Sequence, residues 1–163
     1  MLMRSLLRTV VVGSALIGLL PASRLAAQAN DQWVGSWKLN VAASKFTHGP
    51  APKSLTVTIE KAGAGLKITA KGIGSDGNPM GTEYTATLDG KDVPVTGSAD
   101  YDAVSVKMLD PMTRHMVRKK GGKEVQTVHS VLSKDGKRFT STTKGVNAKG
   151  QQVESVAVYD KQL

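Results

Sequence analysis

The 163-residue chain contains no cysteine. No disulfide can staple the fold, and no thiolate is available as nucleophile or metal ligand. Histidine is scarce as well: His48, His115 and His129 are the only three, and no H-E-x-x-H run brings two of them onto one face. There is no G-x-S-x-G, and no serine has an identifiable His–Asp pair to activate it, so the sequence nominates no catalytic residue. Long apolar runs are also missing, with one exception. Val10–Leu20 is 11 residues, about half of the ~20 that cross a bilayer as a helix.

That run belongs to a leader. Arg4 and Arg8 precede it, Pro21 follows, and Ala27-Gln28-Ala29 is an A-x-A cleavage site, so residues 1–29 are expected to be a cleavable signal peptide. The mature chain, 30–163, is then one domain, periplasmic or secreted and without stable membrane insertion. Beyond position 29 there remain 19 Lys and Arg against 13 Asp and Glu, a net charge of +6. Such a balance favours anionic partners over cationic ones. The lysines are spread over nearly every turn without clustering, however, so no nucleic-acid partner is expected.

What the chain has in abundance is short β-prone runs separated by Gly, Asp, Asn or Pro. They are Trp33–Asn40, Leu55–Lys61, Leu66–Ile73, Met80–Leu88, Lys91–Thr96, Tyr101–Leu109, Thr113–Lys119, Glu124–Leu132, Lys137–Lys144 and Gln151–Lys161. Val41–Ser54 reads as a loop, with Gly49-Pro50-Ala51-Pro52 forbidding a helix through its middle. The connections are too short for the crossover helices of a parallel sheet. The expected fold is therefore all-β: a single up-and-down antiparallel barrel of about ten strands, without a helical lid.

Turn chemistry fixes a register. A two-residue turn at Asp89-Gly90 places Tyr84 opposite Val95 and Ala86 opposite Val93. The loop after Lys61 pairs Ile59 with Ile68 and Val57 with Ala70. A turn at Asp110-Pro111-Met112 pairs Met108 with Arg114, Val106 with Met116 and Val104 with Arg118. Gly121-Gly122 then sets Arg118 beside Val125, Met116 beside Thr127 and Arg114 beside His129, and a loop at Lys134-Asp135-Gly136 pairs Val131 with Phe139 and His129 with Ser141. The inward face ends with Val153, Ser155, Ala157 and Tyr159. His115, Val117, Gln126, Val128, Ser130 and Leu132 fall outside, and no metal site forms because His115 and His129 face opposite ways.

Gly72-Ile73-Gly74-Ser75-Asp76-Gly77 matches G-x-G-x-x-G, but it leads into a strand. Without a helix N-terminus it is a hairpin turn, and no cofactor is expected. The inward Arg114, Arg118 and His129 carry more information. A guanidinium in a dry core costs several kcal/mol unless paired or solvated, and few carboxylates face it. Either the register slips here, or the interior is wet or holds an anion.

Gly35-Ser36-Trp37-Lys38-Leu39, the meander of strands and the closing Val156-Ala157-Val158-Tyr159-Asp160-Lys161 together resemble the calycin superfamily of lipocalins and fatty-acid-binding proteins, and small secreted bacterial lipocalin-like proteins in particular. The resemblance implies a barrel plugged by Trp37. It also implies a non-enzymatic binder of a small hydrophobic or amphipathic anionic ligand. Of the R-x-Y that closes fatty-acid-binding proteins, Tyr159 is kept and Ala157 stands at the Arg position. The expected ligand-binding residues are Trp37, Tyr84, Met108, Arg114, Met116, Arg118, His129, Phe139 and Tyr159. The alternative is a filled barrel that acts through its basic outer surface in the cell envelope, with Val117, Val128 and Leu132 as a subunit contact.

Overall fold

A computed structural model describes residues 31–163; the leader lies outside the described residues. Eleven strands account for most of the chain: β1 (Gly35–Leu39), β2 (Lys45–His48), β3 (Ser54–Ala62), β4 (Gly65–Ile73), β5 (Pro79–Ala86), β6 (Asp89–Pro94), β7 (Ala103–Asp110), β8 (Thr113–Lys120), β9 (Lys123–Leu132), β10 (Arg138–Val146) and β11 (Gln152–Lys161). Ten of them run around one antiparallel wall in the order β5-β4-β3-β1-β11-β10-β9-β8-β7-β6. Consecutive strands pair from β3 to β5 and from β6 to β11, and β1 is inserted between β3 and β11 and so joins the two ends of the described chain. The wall is nearly closed. Edge strand β5 meets the chain just beyond β6 at an isolated bridge, Glu83 with Thr96, made by two backbone hydrogen bonds of 3.0 Å. Among the described residues no helix is long and apolar enough to cross a membrane.

The register holds over the first half of the meander. Ile59 pairs with Ile68 and Val57 with Ala70; Met108 pairs with Arg114, Val106 with Met116 and Val104 with Arg118. Three local features differ from expectation. Val41–Ser54 contains β2, which continues β1's pairing with β11 after a turn in which Asn40 Oδ1 accepts from the Ala43 N–H and the Ser44 hydroxyl donates to the Asn40 carbonyl. Asp89-Gly90 is not a free two-residue turn. Asp89 already pairs with Lys107 of β7, and the reversal comes earlier, through Leu88 at φ 65°.

The third difference is a bulge between Arg118 and Lys119. Gly121-Gly122 is the expected turn, and both residues have positive φ. One step on, Lys119 pairs with Glu124 but Arg118 with Gln126, leaving Val125 without an opposite number. An extra residue in one strand exchanges its faces from there onward. Gln126, Val128, Ser130 and Leu132 therefore point inward and are buried, while His129 and Val131 are exposed. The loop after β9 is also one residue longer than expected, so Leu132 pairs with Phe139. The two offsets cancel, and Phe139 and Ser141 face inward after all.

Burial follows this alternation. Trp33, Trp37, Ile59, Leu66, Val104 and Val106 are the largest side chains fully removed from water. Most cluster toward one end of the barrel, where the Trp33 indole donates to the Pro111 carbonyl at 3.0 Å and the Trp37 indole donates to the Trp33 carbonyl at 2.9 Å. Phe139 packs between these rings and Tyr159, its centroid 5.7 Å from Trp33, 4.9 Å from Trp37 and 4.6 Å from Tyr159. This aromatic plug closes one end. It satisfies both indole N–H groups, which would otherwise be costly to bury.

Candidate functional site

Above the plug the barrel is hollow. The cavity has a volume of about 590 Å³, within the range of pockets that hold drug-sized ligands. Its mouth lies at the opposite end, between Phe46–Pro52, the chain from Gly97 to Tyr101, and Asn147. The walls differ in chemistry. Leu39, Leu55, Val57, Ile68 and Ala70 from β1, β3 and β4 make an apolar side, and Arg114, Arg118, Gln126, Ser130, Ser141 and Ser155 from β8 to β11 make a polar one. The bulge in β9 sets that strand's share of the lining: by exchanging faces it replaces Thr127 and His129 with Gln126, Val128 and Ser130.

Arg114 is 7% exposed. Its guanidinium carbon lies 3.7 Å above the centre of the Trp33 indole and 5.9 Å from that of Phe139. Among the described residues no carboxylate comes within ion-pair distance of it, and Arg114 lines the cavity. A cation–π contact contributes about 0.5–2 kcal/mol, less than the several kcal/mol that burying a lone cation costs. Desolvation accordingly pushes the Arg114 pKa down to about 10, partly opposed by attraction from Tyr84. The group is still charged at neutral pH.

Arg118 lies four residues along the same strand and on the same face. Its guanidinium carbon is 4.7 Å from the centre of the Tyr101 ring, and Nη1 donates to Gln126 Oε1 at 2.8 Å. Gln126 is oriented in turn by donating from Nε2 to the Val146 carbonyl at 3.0 Å. The Nε–H of Arg118 is buried without an acceptor. The carboxylate at the mouth, Asp100, accepts from the Ala148 N–H and forms no ion pair with either guanidinium.

Between the two cations, Met116 Sδ accepts from the Tyr84 hydroxyl at a long 3.9 Å. Burial raises the Tyr84 and Tyr159 phenols from 10.0 to about 12, while Arg114 and Arg118 oppose the shift at Tyr84 and Arg118 opposes it at Tyr159. The hydroxyls of Ser130 and Ser141 hydrogen-bond each other at 2.7 Å. Among the described residues neither hydroxyl is hydrogen-bonded to a histidine; His48 lines the same cavity.

Of the residues expected at the site, Tyr84, Arg114, Met116, Arg118, Phe139 and Tyr159 line the cavity. Trp37 is fully buried below it, in the plug. Met108 packs against the core and does not reach the cavity. His129 is a correction: it is exposed on the outer face, directly opposite His115, because the bulge turns it out. Val128 and Leu132 are likewise inside, which removes two of the three residues of the expected subunit contact. No group of three or more potential metal ligands occurs among the described residues. Trp33, Tyr101 and Gln126 escaped the sequence reading. Trp33 shares the parity of Trp37 and was legible on that ground; Gln126 was not, because nothing in the text marks the bulge.

No protein-family model matches the chain, and no curated protein matches it. Among solved structures it is similar in fold to Rv2717c from Mycobacterium tuberculosis, with a TM-score of 0.50 and 15% identity over 90% of this chain and 100% of that one. It is also similar to a zebrafish ileal bile acid-binding protein solved with cholic acid (0.48, 13%, 80% and 99%) and to lobster apocrustacyanin A1 (0.44, 11%, 87% and 69%). The likeness is one of fold: a nearly closed, antiparallel up-and-down β-barrel like that of lipocalins and fatty-acid-binding proteins.

Proposed function

We propose that this protein is an exported, non-enzymatic carrier or receptor that holds a small hydrophobic or amphipathic anion inside its barrel. The observation that supports this most directly is Arg114: a largely buried cation, stacked on Trp33, with no counterion among the described residues and lining a hollow interior. An anion in that cavity offsets the desolvation cost and takes charge-assisted hydrogen bonds. The apolar wall receives the hydrocarbon. The deep polar lining is hydroxyls, an amide, phenols and guanidiniums, groups that hold and orient a guest, while His48 and Asp100 line the cavity as well. A cavity of about 590 Å³ also argues against the filled-barrel alternative. Export rests on the 1–29 leader.

Native mass spectrometry of the protein purified from its own host, combined with a tryptophan-fluorescence titration against a panel of anionic lipids, tests the reading. A co-purifying mass and a change in emission are expected, since Trp33 lies directly under the proposed anion. A uniformly ligand-free species with no response to any member of the panel would remove it.

A further inference from the structure

The cavity has two cationic positions, not one. Arg114 and Arg118 are four residues apart on β8, so their Cα atoms are about 13 Å apart at the usual strand rise, and both side chains line the cavity. They are not a single clamp. Arg114 lies at the plugged end, over Trp33; Arg118 lies toward the mouth, over Tyr101 and tied to Gln126. Met116 projects between them on the same face, with the Tyr84 hydroxyl against its sulfur. Along the strand the interior reads cation, apolar, cation. Each cation also has unmet capacity: Arg114 has no carboxylate or hydrogen-bond acceptor among the described residues, and Arg118 has a buried Nε–H with none.

Resting on the reading above, we propose that the ligand is anionic at both ends: an α,ω-dianion, such as a long-chain dicarboxylate, whose hydrocarbon crosses Met116 and the apolar wall while one terminus meets Arg114 and the other Arg118. An ordinary fatty acid answers only one of the two. Its methyl end would then lie beside the second guanidinium and displace the water solvating it, which leaves a buried charge unpaired. A second carboxylate removes that penalty, although its own desolvation must be offset by the second arginine. Each arginine is therefore needed for the preference, and neither alone produces it.

The experiment is calorimetric titration of delipidated protein with two matched series, saturated monocarboxylates and α,ω-dicarboxylates of increasing length. At the optimal length the dicarboxylate is expected to bind about 10- to 100-fold more tightly than its monocarboxylate, the worth of a hydrogen bond to a charged group. Arg114→Gln and Arg118→Gln should each reduce that ratio to one or below while monocarboxylate binding persists at the remaining arginine. Arg118 is the less buried of the two, so Arg118→Gln carries the test if Arg114→Gln fails to fold. Equal affinity of the two series at every length, or a preference that survives Arg118→Gln, would overturn the dianion and leave the binding function standing. Failure of both series to bind would overturn both.

Discussion

The guanidinium of Arg114 rests 3.7 Å over the indole of Trp33, and the Trp33 indole N–H is itself tied to the Pro111 carbonyl at 3.0 Å. The floor of the cavity and the plug of the barrel are thus one structure, with Trp33 serving both. Trp33→Phe should keep a ring under the cation but leave the Pro111 carbonyl without its donor, a loss of about 1–3 kcal/mol. Trp33→Ala should cost about 3–5 kcal/mol, because a cavity replaces the ring. Urea unfolding of the two variants beside the parent checks the order. Equal costs would show that the ring itself contributes nothing.

Stability at high pH should follow the buried phenols. The folded-state pKa values of Tyr84 and Tyr159 are raised by burial to about 12 from 10.0, so the folded protein retains protons that the unfolded chain has released. Their contribution is complete below pH 10 and is lost as the pH rises toward 12. Arg114 acts in the opposite sense. Its folded value is lowered to about 10 from 12.5 by burial, so the unfolded chain binds more protons in that window and stability gains with pH. Two phenols against one guanidinium leave a net fall of roughly 1 kcal/mol per pH unit between pH 10 and 12. Tyr84→Phe should leave one of each and flatten the slope, as read from urea midpoints against pH.

How much of this was legible in the sequence depends on which residues are considered. Short hairpin loops obey the period of the strand, so Ile59–Ile68 and Met108–Arg114 could be paired from the text. Trp37 in the plug needed only its place in the opening strand. The errors of facing in β9 all lie downstream of one inserted residue. Val125 reads as an ordinary strand residue, yet it is extra in the ladder, and every inward assignment from Gln126 to Leu132 is exchanged by it. Turn residues signal reversals through backbone conformation. A bulge arises from how two strands settle against a curved wall, a property of the assembled barrel. The Arg pair survived because it lies on β8, upstream of the fault, and its partner Gln126 was missed because it lies just beyond.

Gly145 is what accommodates that fault on the far side of β9. Its φ is +144°, and a Cβ added there would overlap the Val125 carbonyl oxygen and come within 2.6 Å of the Gln126 Cα. Gly145→Ala should therefore destabilise by at least about 2 kcal/mol through strain and displaced backbone together. Gly150→Ala makes a control: φ is also positive, at +73°, but nothing lies within 4 Å, so only the conformational cost of roughly 1 kcal/mol applies. Chemical denaturation of both variants distinguishes the two terms, and equal losses would remove the role given to Gly145.

Gln126 holds Arg118 with a neutral oxygen, and that neutrality leaves the cation available. Gln126→Glu would place a carboxylate where Oε1 now accepts from Nη1 at 2.8 Å, giving Arg118 an internal counterion of the kind the cavity otherwise lacks. A charge-assisted pair is stronger than the hydrogen bond it replaces, although the donation to the Val146 carbonyl is lost; folding stability should change little. Affinity should change a great deal. An incoming anion at the mouth end would face a neutralised arginine and a nearby negative charge, so binding of a dianion should weaken about tenfold or more while a monoanion seated on Arg114 is much less affected. Calorimetric titration of Gln126→Glu with a dicarboxylate and its matched monocarboxylate gives the two numbers. An unchanged dicarboxylate affinity would mean that Arg118 does not meet the ligand.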